Sequence, residues 1–535
     1  MPDILLIQPP IRDFYLTAKR TIPYGLASIG ASLIKQGFSV KIFDSLATSK
    51  SRIIDLPLEM KYLEKFYGKS DISPFALFHK YKYFGYSFEH IGKTARDSKA
   101  FLIGISSLFT AYSNDALECA CIVKKFYPDC YIVMGGHHPT SLPESVMKCK
   151  FVDFIIRGEG EAGLPELAKC LKNGTDIKHV PGIVYRNNNN IKVNEPAMME
   201  NLDKYPLPEM HLINNKFYQR KKWGSTVIIS SRGCPMKCSY CSLGASSLKY
   251  RRRCVDSVIK EMENAFNDYN VRFFDFEDEN LSLEKTWFLE LLKNIKTKFR
   301  NSEIELRAMN GLFSPSLDRQ VISAMKDAGF KTLNLSLGST SAIQLKKFRR
   351  PDVRASVENA IDLAQDYGLE VVCYIIVGAP GQNPKDSITD LLWLASKKVL
   401  AGVSVYYPAP GSTDYALAAD SGILPDYFSL MRSSTLPISD TTSRLDSITL
   451  LRFGRILNFL KTLSNNEKKE IKPLSCNNNK NEINVNRKSA GIKILRWFLH
   501  DKKIRGLTKD KEIYEHYISE ELAELFVRAV KKILI

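Results

Sequence analysis

Three closely spaced cysteines are the residues of this 535-residue sequence best suited to chemistry. Cys234, Cys238 and Cys241 lie in the segment TVIISSRGCPMKCSYCS, where a β-rich run ends among turn-forming residues. Three thiolates can hold three corners of a four-iron cluster, which leaves one iron open to a substrate or cofactor. The alternative is a zinc site completed by a distant ligand such as Cys254, but zinc-binding sequences favour two separated pairs of ligands. The spacing therefore predicts an iron–sulfur site with an open coordination position.

The other cysteines form no comparable cluster in the sequence. The chain holds eleven cysteines, an odd number, and several stand singly in apolar segments: Cys119, Cys121, Cys130, Cys170 and Cys373. Isolated cysteines in such surroundings are typically reduced and buried. We therefore expect thiols rather than disulfides outside the 234–241 cluster.

An acidic run follows a later apolar segment. The sequence FEDEN contains Glu277, Asp278, Glu279 and Asn280, whose oxygens could accept hydrogen bonds from an ammonium group or a ribose. A solvated acidic loop is the alternative. If the apolar run is a strand of a parallel barrel, these side chains lie at the barrel mouth.

The elements that position the residues of the leading domain form a first alternation of strands and helices. Strands are predicted at 3–8, 38–44, 101–108, 131–136 and 151–157, with helical spacing at 24–35 and 112–126. This order predicts a doubly wound parallel sheet covered by helices. Ligands bind such sheets at the carboxyl ends of the strands, where Ser106, Ser107, Gly135 and Gly136 lie.

A second alternation begins after a hairpin around Asn187–Asn190 and a proline-bearing connector. Strands are predicted at 226–232, 271–276, 304–309, 332–337, 371–377 and 402–407, and helices near 255–268, 283–297, 317–328, 353–366 and 385–397. Six such units predict a partial (β/α)6 barrel, with the three cysteines after its first strand.

The fold class is thus α/β: a doubly wound parallel sheet, a partial barrel and a helical C-terminal region. The predicted domains are 1–172, the hairpin and connector 173–223, the barrel 224–430 and the helical region 431–535, whose polar segment 464–490 we expect to be disordered. Trp497, Phe498 and Phe526 in this region are expected to pack a small core.

The net charge of +18 does not by itself indicate a nucleic-acid partner. Residues 461–535 carry 17 Lys and Arg against 10 Asp and Glu, so much of the excess lies in one polar region and is expected to be solvated. No apolar run approaches the ~18 residues that suggest a membrane span. The first residues, MPDILLIQPP, predict a strand rather than a leader, and we expect a cytoplasmic protein.

The CxxxCxxC spacing, with Tyr240 before the last cysteine, resembles the radical S-adenosylmethionine (SAM) superfamily. The resemblance implies that the cysteines hold a [4Fe–4S] cluster whose open iron chelates SAM. An electron from the cluster then cleaves SAM to a 5′-deoxyadenosyl radical, so an electron donor such as flavodoxin or ferredoxin is implied as a partner. Such one-electron chemistry belongs to the cofactors, while the protein orients them and excludes water.

Of two further segments, one matches a motif of the family and the other departs from it. FEDEN matches an Asp-x-Asn element, which implies cofactor contacts for Asp278 and Asn280. Relatives often carry a Glu-Ser pair after the fourth barrel strand, where this chain has Gly338 and Ser339. The ribose contacts there are not carried over, and Ser336 stays as the candidate.

The turn after the fifth barrel strand, YIIVGAPGQ, is similar to the family's GxPGE turn. Gly378, Pro380 and Gly381 are implied to let the backbone approach the adenine closely. Gln382 stands where glutamate is usual, so no electrostatic role is assigned to that position.

The sheet domain followed by the barrel resembles the branch of this family that carries a cobalamin-binding domain, over roughly residues 1–430. PYGLASIGASLIKQGFSVKIFD, GISSLFTAY, VMGGHHPTSLPE and VDFIIRGEGE carry the resemblance. It implies cobalamin as a cofactor, bordered by Ser106, Ser107, Gly135 and Gly136.

Two features of the cobalamin site are left open by the sequence. No histidine lies in an Asp-x-His-x-x-Gly motif, and His137 and His138 are expected to be surface or turn residues rather than cobalt ligands. Glu159 in the GEGE turn is a candidate for the cobalamin site, and the alternative is that it stabilises a helix N-terminus, as acidic residues ordinarily do.

The resemblance implies a cobalamin-dependent radical enzyme that methylates an unactivated carbon of a small molecule or lipid. Oxidative ring closure, as in anaerobic magnesium-protoporphyrin ester cyclases, or ring rearrangement is the alternative within the branch. A tRNA methylthiotransferase would need three further cluster cysteines in the leading domain, and the early cysteines lack that spacing. A cobalamin carrier or sensor would need no cluster with an open iron.

Overall fold

The computed structural model of the chain describes residues 1–535 except 16–21, 79, 189, 244–248, 438, 472–485 and 535. Its architecture follows the predicted order: a leading sheet domain, an open barrel and a helical C-terminal region. The fold class predicted from the alternation of strands and helices is confirmed.

The leading domain is built on a seven-stranded sheet in the described ranges, and its strands are Ile4–Gln8, Val40–Asp44, Leu102–Ser106, Tyr131–Gly135, Phe154–Ile156, Ile183–Asn187 and Asn190–Val193. The first five strands run parallel, and the last two form the predicted hairpin and join antiparallel. Central strands are continuous apolar runs, because helices cover both faces of the sheet.

Helices on the two faces bury separate cores. The main helices of the domain are Tyr24–Lys35, Phe88–Ser98, Ser113–Phe126 and Gly160–Asn173. Tyr24–Lys35 and Gly160–Asn173 pack on one face, whereas Phe88–Ser98 and Ser113–Phe126 pack on the other. This arrangement leaves the carboxyl ends of the strands open at one edge.

Part of the segment between the second and third sheet strands, residues 51–84, leaves this domain and packs on the barrel. It contains the short strands Ser51–Ile53 and Lys82–Phe84 and the helical turns Leu58–Leu63 and Glu64–Tyr67. Phe66 and Phe75 are buried in the same core as the barrel and the C-terminal helices.

The barrel consists of six parallel strands in the described part of the chain: Trp223–Ile228, Val271–Phe276, Glu305–Ala308, Thr332–Gly338, Glu370–Val377 and Leu400–Val405. The third and fourth strands are joined by single pairings of Leu306 with Phe330 and Leu312 with Leu335. The outer helices are Val255–Tyr269, Lys285–Lys298, Arg319–Ala328, Arg354–Asp366 and Pro384–Ala395. The first and last strands do not pair with each other in the described residues, so the barrel is partial.

The C-terminal region packs as a helical layer on the barrel. It contains the helices Arg444–Lys461, Asn465–Glu470, Arg487–Asp501 and Glu520–Leu534 and the hairpin Arg505–Leu507 with Ile513–Glu515. Phe498 and Phe526 are fully buried, and Phe526 stacks on Phe453 at 4.1 Å between ring centroids. They belong to the core that the barrel also contributes to rather than to a separate small core, and Trp497 is only partly buried against it. The predicted disorder of 464–490 is wrong at both ends, where capping residues start helices, and 472–485 lie outside the described residues.

No helix in the described part of the chain is long and apolar enough to cross a membrane.

The cysteines expected to be buried divide into two groups. Cys119, Cys130 and Cys373 are buried, whereas Cys121 and Cys170 are partly exposed.

Candidate active site

The three cysteines lie on a loop that leaves the first barrel strand. The loop is closed at its base by a two-residue antiparallel pairing of Ser231–Arg232 with Arg251–Arg252. Cys238 is buried, whereas Cys234 and Cys241 are partly exposed. The strand end places the loop at the carboxyl edge of the barrel, as the sequence predicts.

The loop is held by the opposite side of the barrel. The backbone N–H of Ser239 donates to the carbonyl of Phe348 at 3.0 Å, and the Tyr240 ring packs edge-on against Phe348 at 5.0 Å. Arg350 donates to the Tyr240 hydroxyl at 3.1 Å and to the Ser336 carbonyl at 2.5 Å. Burial raises the pKa of Tyr240 to about 12, so its hydroxyl stays protonated at neutral pH. Tyr240 thus anchors the cysteine loop to the fourth barrel strand.

The thiols themselves are not drawn together in this conformation. In the part of the chain that the structure describes, no three His, Cys, Asp or Glu side chains converge closely enough to hold a metal ion. Burial raises the pKa of the Cys234 thiol, although the Met236 N–H and the Asn280 amide partly oppose this. Three thiols on one short loop are nevertheless the soft donor set that an iron–sulfur cluster takes.

The acidic run after the second barrel strand lies directly behind the cysteine loop. The Asn280 amide nitrogen is 4.0 Å from the Cys234 sulfur, and its oxygen is buried without a hydrogen-bond partner in the described structure. Asp278 is fully buried and accepts hydrogen bonds from Ser230 and Ser231, so its carboxylate stabilises the base of the cysteine loop. Asn280 therefore offers a free acceptor beside a cysteine, whereas Asp278 does not.

The turn after the fifth barrel strand is closed by its own side chain. Gln382 is buried, accepts a hydrogen bond from the Ala379 N–H at 3.0 Å and donates to the Ile376 carbonyl at 3.1 Å. Gly378 and Gly381 have φ of 74° and 66°, a conformation that favours glycine. Pro380 lies between them and is partly exposed. The two glycines of the Gly-x-Pro-Gly pattern are therefore explained by the positive φ angles that this turn requires.

The departure after the fourth barrel strand has a structural role. Ser339 is buried and donates to Asp390 at 2.9 Å, and the Thr340 N–H donates to the same carboxylate at 2.6 Å. Burial raises the pKa of Asp390 to about 6, which these hydrogen bonds partly oppose. Ser336 is partly exposed on the strand itself, while Gly338 faces Arg350.

A cavity of about 870 Å³ separates the leading sheet from the cysteine loop. The predicted residues of the sheet edge line one side: Ser106, Ser107, Gly135, Gly136 and Glu159. Gly233 and Ser242, which flank the three cysteines, line the other side together with Glu279. The cavity thus joins the predicted sheet edge to the base of the cysteine loop, whereas the three cysteines and the predicted nucleoside contacts on the barrel are not among its lining residues.

Three charged residues in the cavity wall were missed by sequence reasoning, namely Arg232, Arg251 and Glu161. The predicted Glu159 pairs with Arg251 at 2.9 Å, and Glu161 pairs with Arg232 at 2.6 Å. Glu159 also accepts a hydrogen bond from the Met199 N–H. The Glu159 carboxylate is therefore already hydrogen-bonded within the protein. The sequence signal for its partner Arg251 was the run of three arginines, 251–253, that follows the cysteines.

Comparison with known proteins identifies both domains. Residues 228–394 match the family model described as the radical SAM superfamily, and residues 76–168 match the B12 binding domain. The chain therefore carries a B12-binding domain followed by a radical SAM domain. It is an enzyme whose cofactors are a [4Fe–4S] cluster, SAM and cobalamin.

Relatives of this radical SAM enzyme include methyltransferases. An uncharacterised methyltransferase of Pyrococcus horikoshii is 27% identical over 78% of this chain and 83% of its own length. Cytidylyl-2-hydroxyethylphosphonate methyltransferase of Streptomyces wedmorensis is 24% identical over 72% and 75%. TsrM from Kitasatospora setae, solved with cobalamin and a [4Fe–4S] cluster, has the same fold, with a TM-score of 0.61, 16% identity and 78% coverage of both chains.

The cavity wall of the radical SAM enzyme fits cobalamin. The Ser107 hydroxyl is buried in this wall without a hydrogen-bond partner in the described residues, so a polar group of a ligand could satisfy it. Gly136 has φ of 119°, and a Cβ there would come within 2.5 Å of the Ser107 carbonyl oxygen. An apolar slot between Leu6, Gly104 and Leu164 extends the cavity into the sheet domain. This combination suits a large planar group with an apolar appendage.

The two turn histidines have different environments in the radical SAM enzyme. His137 lines the cavity. His138 is 1% exposed, packs edge-on against Phe428 at 5.0 Å, and has an Nε2 without a partner among the described residues. Burial lowers the pKa of His138 to about 4, so this histidine is neutral at pH 7. His138 is thus not a surface residue, and of its two ring nitrogens Nδ1 has a partner in the Thr110 hydroxyl at 3.3 Å.

Proposed function

We propose that this radical SAM enzyme transfers a methyl group from cobalamin to an unactivated carbon of a small molecule or lipid. The observation that carries the proposal is the shared cavity, which the sheet edge and the base of the cysteine loop line from opposite sides. When bound, the cluster supplies an electron to cleave SAM, and cobalamin supplies the methyl group. A substrate in this cavity would be within reach of both.

In this proposal the three cysteines hold the cluster and the protein around them keeps it dry. Cys238 is buried, and Tyr240 with Phe348 closes the loop on its barrel side. Asn280 offers its free oxygen beside Cys234 to the ammonium of SAM. The backbone of Gly378 to Gly381 and the Ser336 strand would border the nucleoside, and flavodoxin or ferredoxin would deliver the electron.

The sheet edge would hold cobalamin through backbone and small side chains. Ser106, Ser107, Gly135 and Gly136 line the cavity where the parallel strands end, which is the usual ligand position in such sheets. The apolar slot beside Gly104 would receive the nucleotide tail. We favour methyl transfer over ring closure because two relatives that each align with more than 70% of this chain are described as methyltransferases.

Anaerobic reconstitution with iron, sulfide, cobalamin and SAM tests this function. We expect wild-type enzyme given a reductant to form 5′-deoxyadenosine, and to form S-adenosylhomocysteine together with a methylated compound when candidate extracts are added, measured by mass spectrometry. 5′-Deoxyadenosine and a cyclised product without S-adenosylhomocysteine would indicate the ring-forming alternative. Formation of neither nucleoside by cluster-loaded enzyme would contradict the proposal.

The cysteine assignment is tested by a matched pair of variants. Cys238→Ala should lose the visible absorbance of the cluster and all 5′-deoxyadenosine formation, because a cluster with an open iron needs all three thiolates. Cys254→Ser changes an exposed cysteine that caps the helix after the loop, and should keep both. Loss of metal from Cys254→Ser would instead support the zinc alternative.

A further inference from the structure

The cysteine loop has a base formed by two arginines. Arg232 immediately precedes the Gly233–Cys234 turn, and Arg251 is its partner across the antiparallel pairing that closes the loop. Whatever holds these two side chains therefore holds both ends of the segment that carries the cysteines.

Both arginines are held by the leading domain. Arg232 Nη2 lies 2.6 Å from Glu161 Oε1, and Arg232 Nη1 lies 3.4 Å from Glu159. Arg251 donates to both Glu159 oxygens, at 2.9 and 3.0 Å. The side chains of the two glutamates and Arg251 are at most 10% exposed, and that of Arg232 is 21% exposed. The pairs are thus mostly withdrawn from water, where removing one partner has a large effect.

The two glutamates lie at the start of the helix Gly160–Asn173, where Glu159 is the N-cap residue and Glu161 is in the first turn, and the turn before the helix is held by its own contacts. Gly158 has φ of 80°, and a Cβ there would come within 2.3 Å of the Ala197 carbonyl oxygen. The Gly158 N–H donates to the Thr140 hydroxyl at 3.0 Å, and the Glu159 N–H donates to the Ala197 carbonyl at 2.9 Å. The turn also lines the cavity in which the two cofactors are expected to meet. It is therefore a fixed point of the cobalamin-binding domain.

We propose that Glu159 and Glu161 are positioning residues that clamp the base of the cysteine loop to the cobalamin-binding turn and so set the distance between cluster and cobalt. This inference rests on the proposed function, because it concerns the geometry between those two cofactors. The clamp makes no contact with the reacting atoms. It fixes the two ends of the loop against the domain that carries the methyl donor, which couples radical formation to methyl transfer.

The first test needs no cofactor. Hydrogen exchange of the full-length apoprotein should show the backbone amides of 229–233 and 249–253 opening about tenfold faster in the Glu159→Gln/Glu161→Gln variant, since a coupled ion pair is lost at each end of the loop. Glu284→Gln is the matched control. Glu284 pairs with Arg252 of the same short strand at 2.6 Å, but the pair lies within the barrel and is exposed. Unchanged exchange in the double variant, or equal acceleration in Glu284→Gln, would overturn the clamp.

The second test measures the geometry itself. In enzyme holding cob(II)alamin and the reduced cluster, the magnetic interaction between the two centres broadens the cobalt electron paramagnetic resonance signal by an amount set by their separation. We expect one well-defined broadening in the wild type and a weaker, distributed one in Glu159→Gln/Glu161→Gln at equal cofactor content. The charge exchange Glu161→Arg/Arg232→Glu should restore much of the wild-type signal. An identical line shape in wild type and double variant would contradict the positioning role.

The two failures can be told apart. If the wild type binds neither cobalamin nor the cluster, the proposed function fails and the exchange experiment alone decides whether the clamp exists. If the wild type binds both and the double variant keeps the same broadening, the proposed function stands and the positioning role fails. Normal folding of the double variant is checked by its unfolding midpoint beside that of Glu284→Gln.

Discussion

At the scale of single residues, most polar groups around the cysteine loop have partners within the protein. Asp278 is bonded to two serines, Gln382 closes its own turn, and Glu159 pairs with an arginine. The exceptions in the described structure include the Asn280 oxygen and the Ser107 hydroxyl, which are buried and lack partners. Because unpaired buried polar atoms are costly, the Asn280 oxygen and the Ser107 hydroxyl are positions where a polar group of a ligand would be stabilising.

His138 provides a residue-scale prediction of pH dependence. Burial lowers its pKa from 6.5 to about 4, so its contribution to stability is complete above pH 6.5 and is lost as the pH falls towards 4. The wild type should lose about 2–3 kcal/mol of unfolding free energy between pH 7.5 and pH 4.5 through this group. His138→Leu should show a correspondingly smaller loss, measured by urea unfolding at both pH values.

The exposed His179 supplies the control for this measurement. His179→Leu should keep the wild-type pH dependence. If His138→Leu also kept it, the buried neutral state of His138 would be refuted.

At the scale of elements, the barrel follows its periodic sequence closely. The strand predicted at 371–377 spans Glu370–Val377, and the helix predicted at 353–366 spans Arg354–Asp366. Such elements were predictable because alternating apolar runs and helical spacing are local signals. The segment around Phe66 and Phe75 was not, since its short strands and helical turns carry no period and its burial depends on the barrel.

The candidate site was predictable only where its signal is local. The cysteines, the sheet-edge glycines and the turn at Gly378 stand in short motifs with recognisable spacing. The pairs Arg232–Glu161 and Arg251–Glu159 join residues 71 and 92 positions apart, so no single stretch of sequence reveals them. Likewise, the partners of Asp278 follow from strand register, which sequence pattern leaves open.

The turn at 376–382 gives a prediction at the same scale. Gln382→Glu restores the residue usual in the family but removes the donor to the Ile376 carbonyl and buries a carboxylate. We expect a loss of about 1–3 kcal/mol in unfolding free energy at pH 8, and a smaller loss at pH 5, where a protonated carboxyl can donate. Urea unfolding at the two pH values measures both.

Gln365→Glu is the matched substitution on an exposed helix position. It should change the unfolding free energy by less than about 0.5 kcal/mol. A cost for Gln382→Glu no greater than that of Gln365→Glu would mean that the turn does not need the amide.

At the scale of the whole molecule, the leading domain and the barrel enclose the cavity because polar links join them on several sides. Besides the glutamate clamp, Tyr24 donates to Glu261 at 3.0 Å, and Glu261 pairs with Arg253 beside the cysteine loop. From the C-terminal side, Arg432 pairs with Asp13 of the leading domain at 3.0 Å. The C-terminal region thus stabilises the arrangement of the two domains from a distance.

The Arg432 link can be broken in a way that separates pairing from packing. Arg432 is 8% exposed and donates to Asp13 and to the carbonyls of Arg12 and Ala111. Arg432→Met keeps much of the volume but leaves the buried Asp13 carboxylate without its cation, so we expect a loss of about 3–5 kcal/mol. In scanning calorimetry the leading domain should then melt at a lower temperature than the barrel.

Two further variants test the cause of this loss. Arg432→Met/Asp13→Asn removes the orphaned charge and should recover much of the lost unfolding free energy. Lys285→Gln breaks an exposed ion pair within the barrel and should cost no more than about 1 kcal/mol. If Arg432→Met melted like Lys285→Gln, the C-terminal region would have no part in holding the two domains around the cavity.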